Sequence, residues 1–229
     1  MHLIIGNKNY SSWSFRPWFA LKVAGVHFAE TVIPIGSDDF KERVSKLTGT
    51  TKVPVLIHGD IVVWESLAII EYVAETRPDM RLWPADRAAR AHARSVANEM
   101  HAGFYALRHH CPMNMARPVR TMELPDKVMA DVRRIDTLWQ FCLGRFSGGG
   151  PFLYEQFSAA DAMYAPVVSR FHTYGIEVSA PSRAYMDAIM ALPAWDEWYR
   201  AALLETWVLP EDEVDWPLVV RDEKAEIVQ

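Results

Sequence analysis

The feature that most constrains this chain is a change of hydrophobic rhythm near residue 80. Upstream, the apolar residues switch between a period of two and a period of 3.6; downstream they keep to steps of three and four. A chain written this way folds as α+β, with a small mixed sheet first and an all-α helical bundle second. His2 to Gly6 reads as a short buried strand. Ser14 to Ala24 reads as a helix, with Ser14 as its N-cap, Pro17 in its first turn and Gly25 at its stop. Phe28 to Ile35 reads as a second strand, and Pro34 points to a sheet edge because proline has no donor for a ladder. The polar stretch from Ser37 to Thr51 holds one irregular helix and a loop. Val53 to Ile57 and Ile61 to Trp64, joined through His58-Gly59-Asp60, form a hairpin. Glu65-Ser66 then opens a helix on which Leu67, Ile69, Ile70, Tyr72 and Val73 recur at helical spacing until Arg77-Pro78 stops it. Residues 1–80 thus carry the order βαβαββα.

A linker from Arg81 to Ala85 separates this unit from residues 86–229. There Val96, Met100, Phe104 and Leu107 make one apolar stripe, and Val128, Val132, Ile135, Trp139 and Cys142 another. Gly148-Gly149-Gly150-Pro151 breaks the chain. Ser158 and Asp161 then read as a capping box opening a buried helix to about Phe171. Two shorter helical patterns, Ser182 to Ala191 and Ala194 to Leu204, precede an acidic tail from Val208 to Gln229 that either folds over a site or hangs loose.

Composition narrows the partners. The 24 basic residues are scattered and outnumbered by 29 acidic ones, which argues against nucleic acid. The N-terminus has no signal-peptide pattern and no segment is apolar for ~18 residues, so neither export nor a membrane is expected and the setting is cytoplasmic. Cys111 and Cys142 lack the spacing of a disulfide framework or zinc cluster. His109 and His110 are adjacent and point ~100° apart on a helix, so they do not make a metal site.

Four stretches in this order, Tyr10-Ser11-Ser12-Trp13-Ser14-Phe15-Arg16, Lys52-Val53-Pro54-Val55-Leu56, Trp64-Glu65-Ser66-Leu67 through Tyr72, and Phe157-Ser158-Ala159-Ala160-Asp161, resemble the cytosolic glutathione transferases, over nearly the whole chain to about residue 205. The N-terminal half looks most like the serine-type zeta and tau classes. Zeta-class isomerases of maleylacetoacetate carry Cys and Gln where this chain has Trp13 and Glu65. The resemblance implies a thioredoxin-like N-terminal domain that binds glutathione as cosubstrate, a helical domain that contributes the electrophile site, a homodimer, and no metal.

The chemistry asks for particular groups. Ser66 at a helix N-terminus offers a hydroxyl, free N–H groups and the positive dipole end to the γ-glutamyl carboxylate, and Glu65 beside it suits the ammonium. A cis Val53-Pro54 bond, which the resemblance favours, turns the Val53 backbone out to pair with the cysteinyl unit. Lys52 suits the glycyl carboxylate or is simply solvated. A thiol of pKa ~8.5 must be activated at neutral pH. Ser11 is the expected hydroxyl donor by its match to the serine motif, Ser12 the alternative, and Tyr10 the tyrosine-type one. Trp13, Phe104, Tyr105 and Arg108 are expected around a small hydrophobic electrophile, with Met100, His109 and Met113 nearby. Arg16 either supports the site or is a surface charge. The expected activity is attack of the thiolate on an electrophile by conjugation, peroxide reduction or addition; a non-catalytic binding module and the zeta-type isomerase are the alternatives.

Overall fold

The computed structural model describes residues 1–214, so the tail beyond Val214 lies outside the described residues. The first part is β1 (His2–Ile5), α1 (Ser12–Val23), β2 (Ala29–Val32), α2 (Phe40–Thr48), β3 (Val55–His58), β4 (Ile61–Trp64) and α3 (Ser66–Thr76). The sheet order is β2-β1-β3-β4. β1 runs parallel to β2 with Leu3 opposite Glu30, and antiparallel to β3 with Leu3 opposite Leu56. β2 is therefore an edge strand, as Pro34 indicated. It is shorter than its hydrophobic pattern because the ladder ends with the Ile33 N–H on Ile5 O (2.8 Å), after which Pro34 has no donor. Gly59, at φ +61°, turns the β3–β4 hairpin.

The helical part follows a 3₁₀ turn at Pro78–Met80: α4 (Arg87–Ala102), α5 (Tyr105–His110), α6 (Asp126–Phe146), α7 (Ala159–Thr173), α8 (Ala180–Met190) and α9 (Pro193–Leu203). The stripe of Val96, Met100, Phe104 and Leu107 does not lie on one continuous helix. α4 stops at Gly103, whose N–H caps Glu99 O (2.8 Å) so closely that a Cβ there would stand 2.6 Å from the same oxygen. Phe104 follows at φ 57° and α5 restarts. All four residues are nonetheless buried in the one core. The second stripe holds without interruption: Val128, Val132, Ile135, Trp139 and Cys142 are all buried on α6. Among the described residues no helix is long and apolar enough to cross a membrane.

Two helices tie the parts together. α1 packs on α7, α3 and α9, and α7 on α1, α4 and α8, so that one continuous core runs from the sheet into the bundle. Phe15, Trp18 and Phe19 of α1 are fully buried against Trp195 and Trp198 of α9 and Phe157, and each such side chain contributes roughly 1.5–3 kcal/mol of burial energy.

α7 begins at the expected box. Ser158 is the N-cap, and the Asp161 carboxylate accepts from the Ser158 N–H (2.8 Å), the Ser158 hydroxyl (2.8 Å) and the Leu153 N–H (3.1 Å). Burial pushes this carboxyl up to about 6 even though these donors pull it down. Asp161→Ala would leave buried donors without an acceptor, and we expect a loss of about 2–4 kcal/mol, read as a lower urea midpoint at unchanged m-value.

Candidate active site

The site begins with the loop between β1 and α1. α1 starts at Ser12, not Ser14, and its N-cap is Ser11, which has non-helical backbone angles and an Oγ that accepts the Ser14 N–H (3.3 Å). Pro17 consequently lies a turn deeper than the sequence pattern suggested. Ser14 is used inward: its Oγ accepts the Gly6 N–H (3.0 Å) and the Ser11 hydroxyl (2.8 Å). The loop is clamped from the far end of the chain, because Glu205 accepts the N–H groups of Lys8 (2.6 Å) and Asn9 (2.9 Å). Asn9 in turn joins the loop to the helical part through Asn114 (3.0 Å) and the Ala116 N–H (2.8 Å).

Two cavities meet at this loop. The first, of about 500 Å³, lies between Ser11 and Trp13, the Lys52-Val53-Pro54 segment, Trp64 and Glu65 before α3, and His101 at the end of α4. The Val53-Pro54 bond is cis. Ser66 opens α3 fully buried, and its Oγ has no hydrogen-bond partner among the described residues. Glu65 before it is exposed and held at φ 69°, ψ 130°. The second cavity, of about 380 Å³, is walled by Ser11, Ser12 and Trp13 on one side, by Tyr105, Arg108, His109 and Met113 on another, by Arg170 of α7, and by Leu209, Glu211 and Asp212 of the C-terminal segment.

Positive charge is concentrated beneath these walls. Arg16 is completely buried, and none of its guanidinium nitrogens has a hydrogen-bond partner among the described residues. Its Cζ lies 4.3 Å from the centre of the Trp13 ring, and that of Arg108 lies 4.6 Å from it. His101 meets the ring edge-on at 5.2 Å. Arg170, also buried, donates to Cys111 O (2.8 Å), Pro166 O (3.3 Å) and Ser12 Oγ (3.4 Å). Burial first, then Arg170 and Arg108, holds Arg16 well below the ordinary arginine range. Burial and then Arg108 bring Arg170 down to about 10. Burial and then the Arg16 charge lower His101 and favour its neutral imidazole, against the opposing pull of Glu65, whose Oε2 stands 3.9 Å from its Nε2. Such a site stabilises anions. Its two cavities share a hydroxyl at the N-terminus of a helix, where the dipole adds to the same sign of field. Among the described residues no group of three or more His, Cys, Asp or Glu is placed to hold a metal ion.

Family models match both parts of the chain: "Glutathione S-transferase, N-terminal domain" over residues 10–76 and "Glutathione S-transferase, C-terminal domain" over residues 120–201. The chain belongs to the glutathione S-transferase family. Among curated relatives, maleylacetoacetate isomerase of Rattus norvegicus is 28% identical over 193 residues, covering 81% of this chain and 86% of that protein. Probable maleylacetoacetate isomerase of Caenorhabditis elegans is 36% identical over 97 residues, 42% of this chain and 45% of that one. The fold is that of a bacterial zeta-class maleyl pyruvate isomerase (TM-score 0.66, 20% identity, 88% of this chain and 98% of that one) and of a tau-class enzyme from Mangifera indica (TM-score 0.66, 21% identity, 88% and 94%).

Within this glutathione S-transferase fold the residues singled out from sequence fall into three groups. Ser11, Trp13, Lys52, Val53, Pro54 and Glu65 line the first cavity, with Ser66 buried at the start of α3 behind Glu65. Ser12, Tyr105 and Arg108 line the second, together with His109 and Met113. Phe104 lies outside the lining of both; the break at Gly103 turns it into the core beside Tyr164. Met100 is likewise core. Arg16 is no surface charge. Cys142 is buried, its thiol pushed up to about 11 by burial, as a packing residue would be.

His101 and Arg170 were not anticipated, and Glu211 and Asp212 only through the alternative that the tail from Val208 folds over a site, which its described part does at the second cavity. Arg170 did leave a signal, since it is the lone charge in the largely apolar run from Ala162 to Phe171, and such residues are rarely buried without a task. His101 left none beyond preceding a glycine, and the acidic tail residues resemble any solvated terminus. Because Trp13 is the ring on which two guanidiniums rest, Trp13→Ala should lower stability by about 2–4 kcal/mol in denaturant unfolding, and Trp13→Phe by distinctly less.

Proposed function

We propose that this protein binds glutathione in the first cavity and presents its thiolate, activated by Ser11, to a small carboxylate-bearing electrophile in the second. The observation that carries this reading is that Ser11 lines both cavities. A thiol hydrogen-bonded there has its tripeptide on one side and its target on the other.

The first cavity suits the tripeptide group by group. The buried Ser66 Oγ at the α3 N-terminus, without a hydrogen-bond partner among the described residues, calls for an acceptor or donor, and the γ-glutamyl carboxylate fits it. Glu65 is positioned for the neighbouring ammonium. Its positive φ costs of order 1–3 kcal/mol for a non-glycine residue, and such strain persists where function rewards it. Val53 supplies a backbone edge for the cysteinyl unit, and the exposed Lys52 a cation for the glycyl carboxylate.

Activation needs little more than what surrounds Ser11. Lowering a thiol from pKa ~8.5 by about two units takes ~2.7 kcal/mol. A hydroxyl bond to an anion contributes ~1.5–3 kcal/mol and a helix N-terminus up to ~1–2. Ser11 can cap α1 with a lone pair and still donate its proton, by turning it from Ser14 Oγ to the thiolate. Ser12 remains the alternative, with its Oγ accepting from Arg170. Tyr10 suits the role less, because its hydroxyl donates to Glu213 (2.5 Å).

Arg108 and Arg170 favour an electrophile bearing a carboxylate over the purely hydrophobic one expected from sequence, since a guanidinium in a cavity wall is the natural fork for a carboxylate. The reaction is then conjugation or addition of the thiolate to this acid. Isomerisation of an unsaturated acid by reversible addition is the second reading, favoured by the relatives named maleylacetoacetate isomerase. Residues 1–80 serve glutathione and residues 86–229 the electrophile, in a cytoplasmic homodimer; these points rest on the family.

The test is the absorbance titration of bound glutathione. In the native protein its thiol should titrate about two units below the free thiol, and Ser11→Ala should cancel most of that shift while leaving binding intact. Ser66→Ala should instead weaken glutathione binding about tenfold with the thiol still shifted. Glutathione bound with an ordinary thiol would reduce the protein to a binding module, and a full shift surviving in Ser11→Ala would hand the role to Ser12.

A further inference from the structure

The C-terminal segment passes along the wall of the second cavity, and it brings negative charge with it. Residues 205–214 leave α9 and cross the β1–α1 loop, anchored by Glu205 on the loop amides, by Leu209, which is buried, and by Glu213, which accepts from Tyr10 Oη (2.5 Å) and Asn114 Nδ2 (2.9 Å). Between these anchors the 3₁₀ turn Pro210–Asp212 sets Glu211 and Asp212 into the cavity wall that also contains Arg108 and Arg170. No ion pair closes between Asp212 and an arginine among the described residues, although Asp212 and Arg170 each feel the other's charge. The cavity is thus lined by cations from α5 and α7 and by carboxylates from the C-terminal segment.

We propose that Asp212 sets the charge selectivity of the electrophile pocket: its carboxylate competes with an anionic electrophile for the field of Arg170 and Arg108, and the electrophile binds with uptake of one proton at Asp212. This rests on the carboxylate-bearing electrophile proposed above. The groups facing Asp212 are Glu211 and Glu213 on its own segment, Tyr10 on the loop, Tyr105, Arg108 and His109 on α5, and Arg170 on α7. Burial, Glu211 and Glu213 push the Asp212 carboxyl up to about 6 while Arg170 pulls it down. An anion seated on Arg170 cancels that pull and adds a negative charge, and both changes favour the protonated acid. Asp212 therefore takes its proton from solvent near neutral pH, and the anion binds more tightly as pH falls through this range.

The experiment is calorimetric titration of the full-length protein with fumarate, whose carboxyls stay ionised throughout, in the presence of S-methylglutathione so that no thiol reacts. Buffers of different ionisation enthalpy give the proton count. Native protein should take up a substantial fraction of one proton per fumarate at about pH 7, and affinity should fall roughly tenfold between about pH 5.5 and 8. Asp212→Asn should bind at about pH 8 as tightly as the native protein does at about 5.5, with the proton uptake gone. His109→Gln, which removes the histidine of the wall, and Glu213→Gln, which loosens an anchor, should both retain the uptake. Persistence of the native proton uptake in Asp212→Asn overturns the proposal, as does its loss in His109→Gln. Asp212→Asn binding more weakly at every pH would mean that the residue only holds the segment in place, which also overturns it. Failure of fumarate to bind the native protein at any pH overturns instead the carboxylate-bearing electrophile itself, and the inference with it.

Discussion

Helix α1 is enclosed on nearly every side. Phe15 stacks on Trp198 at 4.8 Å, Trp18 meets the same ring edge-on at 5.0 Å, Phe19 abuts Phe157, and α3 and α7 cover the remaining faces. A helix held this way cannot shift its N-terminus without breaking a close-packed core, and the cost of even small rearrangements there is measured in kcal/mol. The consequence appears one turn upstream. Ser11, Trp13 and Arg16 inherit a fixed position, and the Glu205 carboxylate holds the loop before them from the opposite end of the chain. The precision required by the thiol chemistry proposed at Ser11 thus comes from aromatic packing that lines neither cavity.

The same packing explains how the protein tolerates two guanidiniums on one tryptophan, with a third, that of Arg170, buried nearby. Arg16 is buried without a hydrogen bond among the described residues, an arrangement that would be strongly destabilising for an isolated charge. Trp13 offsets part of this by offering a ring face to Arg16 and to Arg108, and Glu65 adds an attractive charge to Arg16. What remains is a positive field under both cavities. A field fixed in place before the ligand arrives costs nothing at the moment of reaction, which is the circumstance in which electrostatic stabilisation of a thiolate or carboxylate is strongest.

Much of this was legible in the sequence, and for local reasons. Val128 to Cys142 announced α6, Pro34 announced an edge strand, and Ser158 with Asp161 announced the start of α7, because periodicity, missing donors and caps are all written within a few residues. The failures were of two kinds. The break at Gly103 and the capping role of Ser11 depended on a choice between neighbouring residues of equal local merit; three serines could cap α1, and the inward bond from Gly6 to Ser14 decided among them. Arg170, His101 and the 205–214 segment are in the site through contacts that span the chain, and no local rule relates residue 205 to residue 8.

That division between local and distant information follows the division of labour in the site. The elements read with ease, from the β1–α1 loop to the start of α3, surround the first cavity, whose proposed ligand is the same throughout the family and whose wall is built from caps, a hairpin and a helix N-terminus. The side chains that escaped reading belong to the second, where Arg170 of α7 and Glu211 and Asp212 of the C-terminal segment join the expected Tyr105 and Arg108 of α5 in a common wall. Side chains on a helix can be exchanged without altering its period, and a terminal segment can be redirected without disturbing the core. The wall proposed to choose the electrophile is therefore the part of the molecule least bound to the fold, and its chemistry has to be taken from the charges it holds: Arg108 and Arg170 from the helices, Glu211 and Asp212 from the C-terminal segment.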